Sequence, residues 1–264
     1  MRLGISTACL YPMYTEQALK ELIDQGFRLF EIFLNSESER CQPLLKELKN
    51  ILQESGSEVK SIHPYTSGFE SFLLFTKYQR RFEDGIEFYK RYFEAAAYLG
   101  AKILVLHGDC HTPQKSGVSD EEYFERFAVL ADEGRKQGIC VAQENVNRFR
   151  SQNPDFIRRM TDYLHGRVHY VLDVKQAVRA GFDPYDMCAA MGKCLVHVHL
   201  NDNRTGEDCL LPGEGTMDFM RLRTMLKEYH YKGDFVIEVY RNNFKGMKEL
   251  KLAGDRASRI LLTE

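Results

Sequence analysis

The chain has 264 residues, 44% hydrophobic and 12% aromatic, enough to bury one large core and too apolar for a disordered or low-complexity chain. Lysine and arginine number 36 against 38 aspartates and glutamates, a formal charge of −2, which argues against a general nucleic-acid binder because such proteins need clustered positive charge. No apolar run approaches the roughly 20 residues that span a bilayer. Ser6, Thr7 and Pro12 break up the start, which lacks the continuous apolar core of a signal peptide. A soluble protein is expected. The 7 cysteines are scattered, odd in number and without a CxxC pair, so they read as reduced thiols of a cytoplasmic protein.

Along the chain, short runs rich in Val, Ile, Leu and Phe alternate with longer segments of helical spacing. LGIST opens at Leu3, and TEQALKELIDQGF follows with Ala18, Leu19, Leu22 and Ile23 on one stripe and Gly26 as a stop. RLFEIFL begins at Arg28 and EVKSIH at Glu58. Tyr78 to Leu99 reads as a helix closed by Gly100, and KILVLH follows from Lys102. EEYFERFAVLADEGRKQG places Tyr123, Phe124, Phe127, Leu130 and Ala131 on one face and ends at Gly138. ICVAQE from Ile139, VHYVLD from Val168, LVHVHL from Leu195 and FVIEVY from Phe235 complete the set. Successive strand starts lie 25 to 44 residues apart, the length of a strand, a crossover helix and two loops.

Eight such units without a linker or polar tract predict one domain over residues 1–264, an α/β fold with a single (β/α)8 TIM barrel. A doubly wound open sheet is the alternative, and it gives no reason to stop at eight strands. The longest interval contains Pro64 to Lys77 (PYTSGFESFLLFTK), which reads as a lid or, preferably, as a short helix packed on the rim. Thr216 in LPGEGTMDF is a candidate cap for a helix starting at Met217.

In a barrel, chemistry gathers at the C-terminal strand ends. Those ends carry His63, His107, Glu144, Asp173, His199 and Glu238, and Glu31 sits inside the second strand. A buried carboxylate is costly unless paired or bound to a cation, so three converging carboxylates call for a divalent ion. The ion-free alternative is a salt-bridge network through Lys175, Arg148 and Arg204, which lie beyond the strand ends. Lys175 falls on the same side as Asp173 by alternation. It could serve as a base, a Schiff-base amine or a phosphate partner, though a solvated rim lysine is the preferred reading. HGDCH (His107 to His111) reads as a loop cysteine and a surface histidine.

ENV at Glu144–Val146, LD at Leu172–Asp173, HVHLND at His197–Asp202, LPGEG at Leu211–Gly215 and IEVY at Ile237–Tyr240, in that order, resemble the xylose-isomerase-like TIM-barrel superfamily. Its members include sugar and sugar-phosphate isomerases and epimerases and the metal-dependent AP endonucleases. The resemblance runs over nearly the whole chain. It implies one divalent ion on Glu144, Asp173, His199 and Glu238, with Mn²⁺, Mg²⁺, Co²⁺ and Zn²⁺ all open. It also implies that the two glutamates face opposite sides of a bound sugar and move protons. His63 and His107 match histidines that bind further metals in the endonucleases and face substrate in the isomerases.

Some positions depart from the family pattern. Gln176 and Lys175 stand where many relatives have histidine and glycine. Glu207 to Leu210 lacks the endonucleases' Asp-x-His, so a three-metal nuclease site is incomplete. Arg148 stands near the position of the epimerases' extra substrate-binding glutamate, which favours an anionic substrate held by Arg148 or Arg204. The expected enzyme is a divalent-metal-dependent isomerase or epimerase of a small sugar or sugar phosphate, working through an enediolate. Glu144 and Glu238 are its acid–base pair, and His63, His107, Lys175 and Arg204 contact the substrate. The alternatives are a metal-dependent dehydratase of a polyhydroxy carbonyl compound and an AP-endonuclease-like phosphodiester hydrolase. The partner expected is a small polyhydroxylated molecule, neither membrane nor nucleic acid, and a homo-oligomer is left open.

Overall fold

Alternating strands and helices wind into a closed parallel barrel in the computed structural model, which describes residues 1–110 and 117–262. In chain order the elements begin β1 (Leu3–Ser6), α1 (Thr15–Asp24), β2 (Leu29–Leu34), α2 (Gln42–Ser55), β3 (Glu58–Pro64), α3 (Glu70–Leu73), α4 (Gln79–Leu99) and β4 (Ile103–Leu106). They continue with α5 (Asp120–Lys136), β5 (Cys140–Glu144), α6 (Pro154–Tyr163), β6 (Tyr170–Asp173), α7 (Val174–Arg179), α8 (Pro184–Met191) and β7 (Leu195–Leu200). A hairpin of β8 (Asp202–Arg204) and β9 (Glu207–Leu210) precedes α9 (Phe219–Glu228), β10 (Phe235–Ile237) and α10 (Met247–Leu261). β1 to β7 pair in sequence, and β10 closes the ring between β7 and β1 with Leu3 opposite Phe235 and Ile5 opposite Ile237. Among the described residues no helix is long and apolar enough to cross a membrane.

The local signals act as their chemistry dictates. α1 buries Ala18, Leu19 and Leu22 against the barrel, and α4 ends on Gly100 in the left-handed conformation at φ 89°. α5 opens with a capping box in which Ser119 accepts from the Glu122 amide while Glu122 reaches back. Gly4 is required by close strand approach, because a Cβ there would lie 2.4 Å from the Leu29 carbonyl oxygen. Inside the ring, Ile103, Val105, Ala142 and Val171 form an apolar plug. Glu31, Ser61, His197 and His199 are also fully buried, so the interior is polar where the site is built.

Three details differ from the expectation and one agrees with it. A hairpin, β8–β9, occupies what reads as a plain loop after β7. The interval after β6 holds two short helices, α7 and α8, rather than one. The preferred reading of Pro64–Lys77 holds: Leu74 and Phe75 are buried, and Glu70 accepts from the Gly108 amide and from the Tyr89 hydroxyl at 2.8 Å. α9 starts two residues late, capped by Asp218 on the Arg221 amide at 2.9 Å, while the Thr216 hydroxyl donates to the Asn203 carbonyl at 3.3 Å.

At the opposite end of the barrel, Asp234 ties three segments together. It accepts from the Arg2 amide at 2.8 Å and pairs with Arg2 and Lys60, each at 3.2 Å. Burial works to raise its carboxyl, but Lys60 and Arg2 hold it below the ordinary aspartate range. A depressed carboxyl stabilises the fold fully above the unfolded pKa and loses that contribution as pH falls through the folded one. Asp234→Asn is therefore expected to cost about 1–3 kcal/mol in urea unfolding at pH 7, with variant and wild type converging in acid.

Candidate active site and metal centre

Size does not decide which concavity is the site. A cleft of about 450 Å³ at the N-terminal end of β5 is lined by Phe127, Arg135, Ile139, Arg167 and His169, with no carboxylate in its described lining. The cavity at the C-terminal mouth, about 380 Å³, is lined by aromatic Tyr11, Phe33, Tyr65 and Tyr240 and by His63, His107, Glu144, Lys175, Gln176 and Glu238. Its floor is where ionisable side chains converge.

Strand ends place each of them. Glu144 ends β5, Asp173 ends β6, and His199 lies on β7. Glu238 follows β10 by one residue, with its amide still donating to the Leu200 carbonyl at 3.1 Å. The Nδ1 of His199 lies 2.9 Å from Glu144 Oε1, 3.4 Å from Glu238 Oε2 and 3.9 Å from Asp173 Oδ2. One donor atom from each of the four falls within 4.8 Å of all the others. The other oxygen of Glu144 faces a second group: His107 Nε2 lies 2.8 Å and His63 Nε2 3.7 Å from Oε2, and the two imidazole nitrogens are 2.9 Å apart. Glu144 thus bridges two clusters.

Three carboxylates and one imidazole make a donor set suited to a divalent ion. His199 turns Nδ1 toward three carboxylates and donates Nε2–H to buried Glu31 at 3.0 Å. A carboxylate on the far nitrogen is the partner that fixes a metal-binding histidine's tautomer and orientation. Ser61 donates to the same Glu31 oxygen at 2.7 Å, so Glu31 is itself held. Burial alone would lower the His199 imidazole, but Glu31, Glu238, Asp173 and Glu144 raise it well above the ordinary histidine value. Either a proton on Nδ1 or a divalent ion answers that field. The donor set fits the ion.

Lys175 requires a correction. It is no solvated rim lysine: its side chain is 3% exposed, and Nζ donates to both Asp173 and Glu238. The ion-free network is therefore partly realised, through this lysine alone. Burial works against the ammonium, yet Asp173 and Glu238 keep it charged and raise its pKa well above the ordinary value. Against the same burial, Lys175 and His199 hold Glu238 ionised. Burial pushes Asp173 up, and the Lys175 ammonium in contact with its Oδ2 works against that rise. The Lys175 ammonium and one imidazolium at His199 still leave Glu31, Glu144, Asp173 and Glu238 in excess, and a divalent ion in place of the Nδ1 proton would offset that charge.

Other expected residues fall elsewhere. Arg204 lies on β8, half exposed and paired with Glu207, outside the described cavity lining. Arg148 is absent from that lining too, with φ 68° and its amide on Gln152. Asp208 of β9 accepts from Arg179 Nε at 2.5 Å and from its Nη2 at 3.0 Å. Cys110 is half-buried with Ser71 donating to its sulfur at 3.2 Å, and His111 lies outside the described residues.

Several residues that sequence reading passed over support the site. Asn145 clamps the Asp173 backbone, accepting from its amide at 2.8 Å and donating to its carbonyl at 2.9 Å. Asn201 donates to Asp173 Oδ1 at 3.3 Å. Asp202 gathers the LPGEG loop by accepting from the Gly213 and Gly215 amides, each at 2.9 Å. The available signal was polarity close to a predicted ligand: Asn145 directly follows Glu144, and Asn201 and Asp202 follow His199 after Leu200.

Residues 19–259 match the family described as xylose isomerase-like TIM barrel. The chain belongs to that family. It is 22% identical to a 3-dehydro-D-guloside 4-epimerase of Escherichia coli over 259 residues, covering 90% of this chain and 92% of the relative. It is 23% identical to an inosose dehydratase of Clostridium botulinum over 257 residues, covering 84% and 81%. A D-psicose 3-epimerase structure from Clostridium cellulolyticum shares the fold at TM-score 0.80 and 17% identity, with 99% of each chain covered.

If Glu31 orients His199 for an ion, Glu31→Gln should weaken Mn²⁺ binding about 10–100-fold in a calorimetric titration. Its circular dichroism should match wild type.

Proposed function

We propose that the chain is a metal-dependent isomerase or epimerase that moves a proton on carbon next to the carbonyl of a small, uncharged sugar derivative. The observation that carries this reading is the meeting of Glu144 and Glu238 around His199 Nδ1 at the floor of a 380 Å³ cavity with aromatic walls. A general base must be ionised and within reach of the substrate. Glu144 is held well below the ordinary glutamate range, against burial, by His107, His199 and His63. Glu238 is held down by Lys175 and His199. One carboxylate takes the proton from carbon, and the other, or the same one, returns it. Phe33, Tyr65 and Tyr240 shield the reacting carbon from water. His63, stacked on Phe33 at 4.5 Å, and His107 orient hydroxyls. A divalent ion held by Glu144, Asp173, His199 and Glu238 would supply Lewis-acid polarisation of the carbonyl.

The substrate is read as uncharged because the described cavity lining offers one lysine, already paired, and no arginine. The expected phosphate partners Arg148 and Arg204 are elsewhere, so a sugar phosphate loses its support. The relatives named for 3-dehydro-D-guloside and for inosose agree with such a substrate. The second of them favours one alternative, a dehydratase that uses the same proton abstraction and expels a neighbouring hydroxyl. Phosphodiester cleavage is disfavoured by the charge of −2 and by Asp208, which is spent on Arg179.

The test is incubation in D2O with Mn²⁺ and a panel of ketoses, keto-glycosides and cyclic polyhydroxy ketones, followed by NMR. Deuterium should enter beside the carbonyl of one substrate class, and Glu144→Gln and Glu238→Gln should each lower exchange about 10²–10⁴-fold. Loss of water in the mass spectrum would select the dehydratase. Metal-dependent scission of an abasic duplex without exchange would overturn both.

A further inference from the structure

We propose that Lys175 is the centre's built-in counter-ion, an ammonium that a divalent ion must displace from Asp173 and Glu238, so that Lys175 sets how tightly the site holds metal. The inference rests on the metal reading above and deepens it.

The contested atoms are the same ones. Asp173 Oδ1 is occupied by the Gln176 amide at 3.2 Å and by Asn201 at 3.3 Å, which leaves Oδ2 to face His199. Lys175 Nζ donates to that Oδ2 and to Glu238 Oε2, the Glu238 oxygen 3.4 Å from His199 Nδ1. An ammonium on these two oxygens competes with an ion for their lone pairs and repels it across a few ångströms of dry protein.

The placement of the lysine points the same way. Lys175 is the second residue of α7, in the first turn, where the helix dipole disfavours a cation. Nothing in helix formation asks for a lysine there; the two carboxylates are what hold it. Lys175 also lines the cavity, and its Nζ lies 5.8 Å from the centre of the Tyr240 ring. A displaced ammonium can move into the cavity beside an aromatic face, which is a favourable environment for a cation. Until it moves, it keeps two of the three ligand carboxylates paired, so the metal-free protein retains an assembled site.

The test uses the full chain stripped with a chelator and titrated with Mn²⁺ by calorimetry. Lys175→Met and Lys175→Gln should bind at least about tenfold more tightly than wild type, whereas Lys175→Arg, which keeps the charge, should remain as weak as wild type. Metal-free Lys175→Met should also melt earlier and gain more from Mn²⁺ than wild type does. Should the variants fail to fold, wild type alone decides: acetic anhydride followed by peptide mass spectrometry should leave Lys175 unmodified without metal and acetylate it once Mn²⁺ is bound. Equal or weaker binding by the Met and Gln variants, or a Lys175 that stays protected with Mn²⁺ bound, overturns this inference and leaves the metal reading standing. Absence of Mn²⁺ binding by wild type and all variants overturns both.

Discussion

Four carboxylates lie buried at the mouth of one barrel, and their mutual repulsion is the constraint that organises everything around them. Glu31, Glu144, Asp173 and Glu238 come from four different strands, and none is more than 8% exposed. Charges taken out of water at this density are tolerable only with cations in contact. The chain answers with four imidazoles, one ammonium and a geometry that could hold a divalent ion. The asparagines on Asp173 and the glycine loop drawn around Asp202 keep those groups fixed, a pre-organisation that the proposed proton transfer would use.

The chemistry follows from how that charge is shared. Glu144 spends one oxygen on His199 and turns the other to His107 and His63, so it couples the candidate ion site to the two histidines that line the cavity. Glu238 sits across His199 from it and is shared with Lys175. Two ionised glutamates thus stand on either side of one imidazole nitrogen at the floor of a cavity with aromatic walls, the arrangement on which the proposed proton transfer at carbon rests. The loop that gives nucleases in this superfamily extra ligands is here a hairpin held by ion pairs, Arg204 to Glu207 and Arg179 to Asp208.

Much of this was legible in the sequence. The barrel could be read because its strands are apolar runs at crossover spacing, and because Gly26, Gly100 and Gly138 end helices where left-handed backbone is needed. The clustering of Glu144, Asp173, His199 and Glu238 could be read because barrel geometry makes strand ends converge, so the last polar residue of each run becomes informative. Alternation put Lys175 on the side of Asp173, but neither its burial nor the position of Arg204 could be read the same way. Both lie just beyond strand ends, where period-two alternation stops and the local turn decides. The direct start of α7 at Val174 folds Lys175 inward onto Asp173, while the β8–β9 hairpin carries Arg204 outward. Glu31 was visible as a charge inside an apolar strand. Its role depends on a contact with β7, 168 residues away, that no local pattern encodes.

The central claim is that Glu144, Asp173, His199 and Glu238 hold one divalent ion. It is tested most directly by anomalous diffraction from a crystal soaked in Mn²⁺. The account predicts a single strong peak about 2.0–2.2 Å from the donor atoms of all four residues, with Glu31 still on His199 Nε2. A map without a peak there, in which the ammonium of Lys175 remains on Asp173 and Glu238 at saturating Mn²⁺, would contradict it.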